Sequence, residues 1–224
     1  MTKAVKNRIL YQLNFFKSIG YEYHANVEFG NNEINNSNLP NNINELKNIV
    51  ENCYLCDLCK SRKNVLFGQG NSDAKILFIL DEPSASEDEL GQFFVGKSGE
   101  ILKNMIQNVL MLDIDDVYIT NIVKCKSNDS FNATHANNCR LYLDKQIEII
   151  NPMLIVTFGE KVYKYLTNDN GIFEQLRGNI LPYKYYNILP TFSPNILLRN
   201  PSLKKEAYYD MLKIKSILEI HWNI

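Results

Sequence analysis

The chain lacks several features that would assign it to a protein class at once. No apolar run among its 224 residues is long enough to cross a bilayer, and the opening Met-Thr-Lys-Ala-Val-Lys lacks the apolar stretch of a signal peptide. The net charge of −1 carries no overall signature of a nucleic-acid binder, and there are only three histidines. The five cysteines are an odd number. We therefore expect a cytoplasmic protein with no membrane segment, whose cysteines bind metal rather than form disulfides.

Four of the cysteines have a spacing that is typical of a metal site. Cys53 and Cys56 form a Cys-x-x-Cys pair, and Cys125 and Cys139 follow far downstream. Such a pair places two sulfurs on one turn, so two distant thiolates can close a four-thiolate site. The spacing leaves the metal open between zinc and iron. Cys59 extends the pair to Cys-x-x-Cys-x-x-Cys and offers a competing ligand.

The first 44 residues differ from the rest of the chain. Residues 1–20 have apolar side chains at helical spacing and predict an amphipathic helix that ends at Gly20. Residues 31–44 contain eight asparagines and little apolar surface, which predicts a linker. We therefore expect an N-terminal helix and linker over 1–44 and a main domain over 45–224.

The main domain alternates between strand and helix patterns. Short apolar segments that are typical of strands buried on both faces lie at 75–80, 117–121, 153–158 and 187–191. Helical patterns lie at about 99–112, 135–150 and 204–218. This alternation predicts a three-layer α/β/α fold with a central parallel sheet of about four strands. Ligands of such sheets bind at the carboxyl ends of the strands, here just after Leu80, at Asn121 and after Thr191.

A series of motifs, in order over about residues 45–218, resembles the family 4 uracil-DNA glycosylases. The motifs are Cys53-x-x-Cys56, Phe67-Gly-Gln-Gly70, Phe94-Val-Gly-Lys-Ser-Gly99, Val117 to Cys125, Cys139, Leu176-Arg-Gly178 and Ser193 to Ser202. These bacterial and archaeal enzymes carry a [4Fe-4S] cluster, and relatives are labelled phage-type DNA polymerase-related proteins. The resemblance implies a monomeric DNA repair protein with the glycosylase fold.

By the same resemblance, the cluster ligands would be Cys53, Cys56, Cys125 and Cys139, with structural zinc as the alternative. The substrate pocket would contain Phe94 as the stacking aromatic, Asn121 as the base reader and the matching Pro83. An asparagine amide can accept from uracil N3–H and donate to O4, a pairing that cytosine cannot form.

The resemblance also implies contacts with DNA phosphates. The residues in question are Lys124, Arg177, Arg199 and Asn200. Ile196 and Leu197 would form an apolar wedge that enters the duplex. Phosphate contacts of this kind set the position of a protein on DNA without reading its sequence.

Two positions depart from the family pattern. Active relatives have Gly-Glu-(Gly or Ala)-Pro-Gly after the first strand, whereas this chain has Leu80-Asp-Glu-Pro-Ser84, so the catalytic carboxylate could come from Asp81 or Glu82. A loop that needs positive φ would tolerate Leu and Ser poorly at the glycine positions. Ser193 replaces the histidine that donates to uracil O2, and losing such a donor typically lowers the rate by about 10²–10³.

Three functional hypotheses follow. The first is a uracil-excising repair hydrolase that uses Asp81 or Glu82, with Ser193 in a weakened oxyanion role. The second is a degenerate homologue that binds uracil-containing or single-stranded DNA without excision. The third is a metal-binding α/β protein with another ligand, which requires the motif match to be accidental.

Overall fold

A computed structural model of the chain describes residues 39–222. The predicted helix over residues 1–20 lies outside the described part, and the predicted division at 44/45 stays a prediction. None of the helices within residues 39–222 is long and apolar enough to cross a membrane.

The sheet has a parallel centre and antiparallel edges. Its six strands are β1 (Gln69–Gly70), β2 (Ile76–Leu80), β3 (Tyr118–Asn121), β4 (Leu154–Phe158), β5 (Leu181–Tyr183) and β6 (Tyr186–Thr191). They lie in the order β1-β3-β2-β4-β6-β5, and all pairs except β1 with β3 and β5 with β6 are parallel. The four predicted strands therefore form the parallel centre, as predicted.

Helices cover both faces of this sheet. They are α1 (Ile43–Glu51), α2 (Ala85–Leu90), α3 (Gly96–Asn104), α4 (Ala133–Ile150), α5 (Glu160–Thr167), α6 (Phe173–Leu176), α7 (Pro194–Arg199) and α8 (Lys204–Trp222). A π-helical segment, Met105–Leu110, continues α3, and short 3₁₀ turns lie at Asp57–Lys60, Ile114–Asp116 and Pro201–Leu203.

Two hydrophobic clusters, one on each face, hold the three layers together. On one face Phe78 and Phe158 pack with α3, its π-helical continuation, α7 and α8. On the other face Leu77 and Ile155 pack with α4 and α5. Side chains alternate between the faces of a strand, so a buried strand needs apolar residues at every position, as in Ile76–Leu80. The predicted three-layer α/β/α fold is confirmed.

Candidate functional site

The carboxyl ends of β2, β4 and β6 open into one cavity of about 630 Å³. Asp81, Glu82 and Pro83 follow β2, Gly159 follows β4, and Ser193 follows β6. Because parallel strands end at the same edge of a sheet, residues more than 100 positions apart in sequence line the same space. The structure thus brings together five predicted site residues, Asp81, Glu82, Pro83, Ser193 and Arg199, whereas Phe94 and Asn121 are not among the residues that line this cavity.

Asp81 has an environment that favours its neutral form. Burial raises the pKa of its carboxyl, and the neighbouring charge of Glu82 raises it further, whereas Lys161 opposes both effects. A raised carboxyl pKa in a cavity is a frequent mark of an acid–base group.

Glu82 is fixed by the segment that follows β3. Its carboxylate accepts hydrogen bonds from the Ser127 amide, at 2.9 Å, and from the Ser127 hydroxyl, and Lys126 lies 3.7 Å away. These contacts orient Glu82 at the rim of the cavity. They also join the loops after β2 and β3.

The loop after β2 does not use left-handed backbone. No residue from Leu80 to Ser84 has positive φ, so the expected strain from replacing the family's glycines does not occur in this geometry. Ser84 instead caps α2: its side chain accepts from the Glu87 amide, and the Glu87 carboxylate accepts from the Ser84 amide. Serine is thus a favourable residue at this position.

Asn121 ends β3 with a buried side chain. Its exposed fraction is 2 %, and its Nδ2 has no hydrogen-bond partner. The strand register puts Asn121 beside Leu80 and in one row with Phe158, on the face where Phe94 packs. An unpaired buried amide is costly in a folded protein, which makes Nδ2 a candidate donor to a bound ligand.

Phe94 has an unusual backbone. Its φ is 64°, a left-handed value that a bulky residue rarely adopts. Gly99 makes this possible, because a Cβ at residue 99 would lie 2.4 Å from the Phe94 carbonyl carbon. Strained backbone of this kind concentrates at functional sites, so Phe94 is held in a specific orientation by its surroundings.

Ser193 is the N-cap of α7. Its Oγ accepts a hydrogen bond of 3.3 Å from the Ile196 amide, and its exposed fraction is 6 %. The hydroxyl proton is not used by this bond. Ser193 packs close to Gly159, whose Cβ position would be 3.4 Å from the serine Cβ.

Sequence reasoning missed Lys161, which lines the same cavity from α5. Its Nζ donates to Ser130 Oγ at 2.8 Å and lies 3.7 Å from the centre of the Phe131 ring. Burial lowers the pKa of Lys161, and the carboxylates of Glu82 and Asp81 act against this. Its proximity to Phe131 depends on the fold alone, and no local sequence pattern indicates it.

The five cysteines line a second cavity together with Arg62, Lys124 and Tyr142. All five are free thiols. Arg62 donates to Cys125 Sγ at 3.2 Å, and the Leu55 amide donates to Cys53 Sγ at 3.5 Å. Burial raises the pKa of Cys139 to about 11. Five soft donors around one space fit a metal centre, although no group of three or more His, Cys, Asp or Glu side chains within residues 39–219 is arranged to hold a single metal ion.

The match with known proteins agrees with this arrangement. Residues 67–213 match the Uracil DNA glycosylase superfamily. The chain is 36 % identical over 183 residues to the type-4 uracil-DNA glycosylase of Sulfurisphaera tokodaii, a match that covers 77 % of this chain and 83 % of the relative. It is 34 % identical over 176 residues to that of Thermotoga maritima, covering 76 % and 91 %. The chain belongs to the uracil-DNA glycosylase superfamily.

The structure corrects the prediction that Lys124 contacts DNA. The Lys124 side chain is 1 % exposed, and its Nζ donates inward to Thr120 Oγ1 at 2.6 Å and to the Asn121 carbonyl at 2.7 Å. A side chain in this position cannot reach a DNA backbone. Local sequence does not reveal which way a lysine points after a strand.

The other residues that were predicted to contact DNA differ in their exposure. Arg177 has internal partners, since one Nη binds both oxygens of Asp210 at 2.8 and 2.9 Å and the other binds Glu206. Arg199 and Asn200 are exposed at the end of α7, and Arg199 lines the cavity at the strand ends.

The two residues of the predicted wedge, Ile196 and Leu197, differ in exposure. Leu197 is 2 % exposed and belongs to the core, whereas Ile196 and Leu198 are 37 % and 39 % exposed. In a helix, residues one and two positions apart face different directions, which explains why a single hydrophobic run divides between core and surface.

Proposed function

We propose that this chain hydrolyses the N-glycosidic bond of uracil, or of another deaminated base, in DNA. The observation that carries the proposal is the Asn121 amide, which is buried at the strand end with an unpartnered Nδ2. Uracil O4 would accept from Nδ2, and uracil N3–H would donate to Oδ1. Cytosine presents an amino donor in place of O4, so the same amide disfavours it. Phe94 would stack on the extruded base.

Asp81 and Glu82 have different parts in this proposal. Asp81 would orient the attacking water and stabilise the positive charge that develops on the sugar, as an ionised carboxylate. Glu82 would be a positioning residue that holds the loop after β2, because its carboxylate already accepts two hydrogen bonds from Ser127. Pro83 would fix the turn between them and the cavity wall.

The departing base carries negative charge, and the site offers few donors for it. Ser193 can donate its hydroxyl proton, which the cap bond to Ile196 leaves free. Lys161 adds a positive charge on the same cavity. Neither equals a histidine aimed at O2, so we expect slower excision than in relatives that have one, by about 10²–10³.

The donor set of the second cavity supports a [4Fe-4S] cluster on Cys53, Cys56, Cys125 and Cys139, with zinc as the alternative. The cluster would supply structural support, tying the segment after α1 to β3 and α4. A freshly purified brown protein with iron and sulfide would agree with this. A colourless protein that contains zinc would contradict it.

A binding protein without excision is the second candidate function, and Ser193 is the observation that favours it. Its oxygen serves as a helix cap, and no histidine lies at this loop. Exposed Arg199 and Asn200 could still contact phosphates in such a protein.

The experiment that tests the proposal is uracil release from an oligonucleotide, with anaerobically purified protein in excess over DNA. Asn121→Ala should abolish release, and Asn137→Ala, a change at an exposed position of α4, should leave it unchanged. Binding that prefers uracil but gives no release, even after long incubation, would support the binding protein instead.

A further inference from the structure

Asp210, in α8, has a charged side chain that is buried. Its exposed fraction is 2 %. One Nη of Arg177 donates to both carboxylate oxygens, at 2.8 and 2.9 Å, and the Arg177 side chain is itself only 18 % exposed. Thr191, the last residue of β6, donates its hydroxyl to Asp210 Oδ2 at 2.8 Å. A buried carboxylate is tolerated when it is both paired and hydrogen-bonded, and Asp210 meets the two conditions.

The turn at Arg177-Gly178 is shaped to fit this carboxylate. Gly178 has a φ of 67°, and a Cβ on it would lie 2.3 Å from Asp210 Oδ1. Both the positive φ and the close approach require glycine at this position. The Gly178 amide donates to the Pro190 carbonyl at 2.8 Å, and its carbonyl accepts from Lys213 at 2.8 Å. The turn, β6 and α8 are therefore joined at one point.

The same ion pair holds the two residues that precede Ser193. Thr191 uses its hydroxyl for the buried carboxylate, and its carbonyl accepts from the Gly159 amide at 2.7 Å. The Arg177 guanidinium lies 4.8 Å from the centre of the Phe192 ring, a cation–π distance. Ser193 then begins α7 at the wall of the cavity. The backbone that carries Ser193 is thus anchored immediately before it.

We propose that Asp210 is a positioning residue that fixes the Ser193 hydroxyl and α7 at the wall of the cavity, acting through Thr191. Arg177 serves inside the protein as the counter-charge that holds the carboxylate of Asp210 in place, rather than as a DNA contact. A serine hydroxyl reaches less far than an imidazole, so a donor at this position depends closely on where its backbone lies. The inference rests on the proposed function only for the effect on excision.

The test compares Thr191→Val, which removes the hydroxyl at similar size, with Thr191→Ser, which keeps it. Thr157→Val is the matched control, because Thr157 is an equally buried threonine in the adjoining strand β4, and its hydroxyl has no hydrogen-bond partner among the described residues. Asp210→Asn removes the charge. Its control is Asp144→Asn, since Asp144, in α4, also binds an arginine, Arg140, at 3.0 Å. Thr191→Val keeps the ion pair and so provides the test if Asp210→Asn fails to fold.

Hydrogen–deuterium exchange over residues 192–200 measures the freedom of α7 without any need for activity. Single-turnover release from a single-stranded oligonucleotide is compared with affinity for its 2′-fluoro-2′-deoxyuridine form, which resists cleavage. Thr191→Val and Asp210→Asn should exchange faster over residues 192–200, and release should slow by roughly 5–30-fold with affinity unchanged. Thr191→Ser and the two controls should match the wild type over residues 192–200 and in rate.

Unchanged exchange over residues 192–200 in Thr191→Val and Asp210→Asn would overturn the inference, whatever the rates of release. Equally fast exchange in Thr157→Val would also overturn it, because the loss of any buried threonine hydroxyl would then loosen α7. A wild-type protein that releases no uracil would overturn the proposed function, whereas faster exchange in Thr191→Val would still support the inference. Faster exchange with unchanged release by an active protein would overturn the part assigned to the Ser193 hydroxyl.

Discussion

At the scale of single residues, Asp81 combines a structural cost with a proposed catalytic benefit. Burial raises its carboxyl pKa above the usual 3.8, so the folded state binds the proton more tightly than the unfolded state. The stability that this proton gives is complete below about pH 3.8, decreases as pH rises to the folded-state pKa, and is absent above it. The ionised carboxylate of Asp81 therefore lowers the stability of the folded state at neutral pH.

We expect Asp81→Asn to raise the melting temperature at pH 7 while lowering the excision rate by about 10²–10⁴. The gain in stability should disappear below about pH 4. Thermal unfolding across this pH range and single-turnover kinetics measure both effects, with the exposed Asp73→Asn as the control. A loss of stability at pH 7 would contradict the environment assigned to Asp81.

Lys161 should affect Asp81 through charge. The Lys161 ammonium holds the pKa of Asp81 down, so Lys161→Met should raise that pKa. If catalysis needs ionised Asp81, the acidic limb of the pH–rate profile then moves to higher pH. Lys164→Met, which removes an ion pair with Glu160 on the same helix, should leave the limb in place. If the acidic limb of the pH–rate profile does not move in Lys161→Met, Lys161 does not affect the reaction through the charge of Asp81.

The sequence predicts much of the candidate site but not the internal partners of its side chains. Asp81, Glu82 and Ser193 could be placed together because carboxyl ends of parallel strands share an edge. The prediction that Lys124 contacts DNA was wrong, and Lys161 was not predicted as a site residue. Both errors have one cause: a long flexible side chain takes its direction from tertiary neighbours.

At the scale of elements, the four parallel strands could be predicted to within one residue, because burial on both faces gives continuous apolar runs. The antiparallel edge strands could not. Strand β1 is two exposed residues, Gln69–Gly70, and β5 contains Pro182, which usually argues against a strand. The predicted helix over 99–112 is an α-helix that becomes π-helical at Met105.

Helix α7 gives a prediction about DNA opening. Leu198, which is 39 % exposed, lies in α7, and the N-cap residue of this helix, Ser193, lines the cavity. Leu198→Ala should weaken excision from duplex DNA by roughly 5–30-fold and affect single-stranded substrate less, because a wedge acts only on a stacked helix. Tyr185→Ala is the control, because Tyr185 lies in the turn between β5 and β6, at the opposite end of β6 from α7. Equal effects on both substrates would argue against a wedge.

At the scale of the whole molecule, the cysteine cavity joins three segments that are distant in sequence. Cys53 and Cys56 follow α1, Cys125 follows β3, and Cys139 lies within α4. A metal centre there would close long loops and contribute to folding. Cys59 lines the same cavity without a counterpart in the family pattern.

We expect Cys59→Ser to retain wild-type iron content and Cys139→Ser to lose most of it, together with thermal stability. Iron and sulfide analysis with melting curves measures this. A loss of iron in Cys59→Ser that equals the loss in Cys139→Ser would make Cys59 a ligand and change the proposed set.

The single-turnover rate of uracil release by the wild-type protein, by Ser193→His, and by Ser193→His combined with Asn121→Ala tests the proposed reaction. We predict slow release by the wild type, an increase of up to about 10²–10³ with histidine, and no release once Asn121 is lost. Failure of both the wild type and Ser193→His to release uracil, with folded and metal-loaded protein, would contradict it.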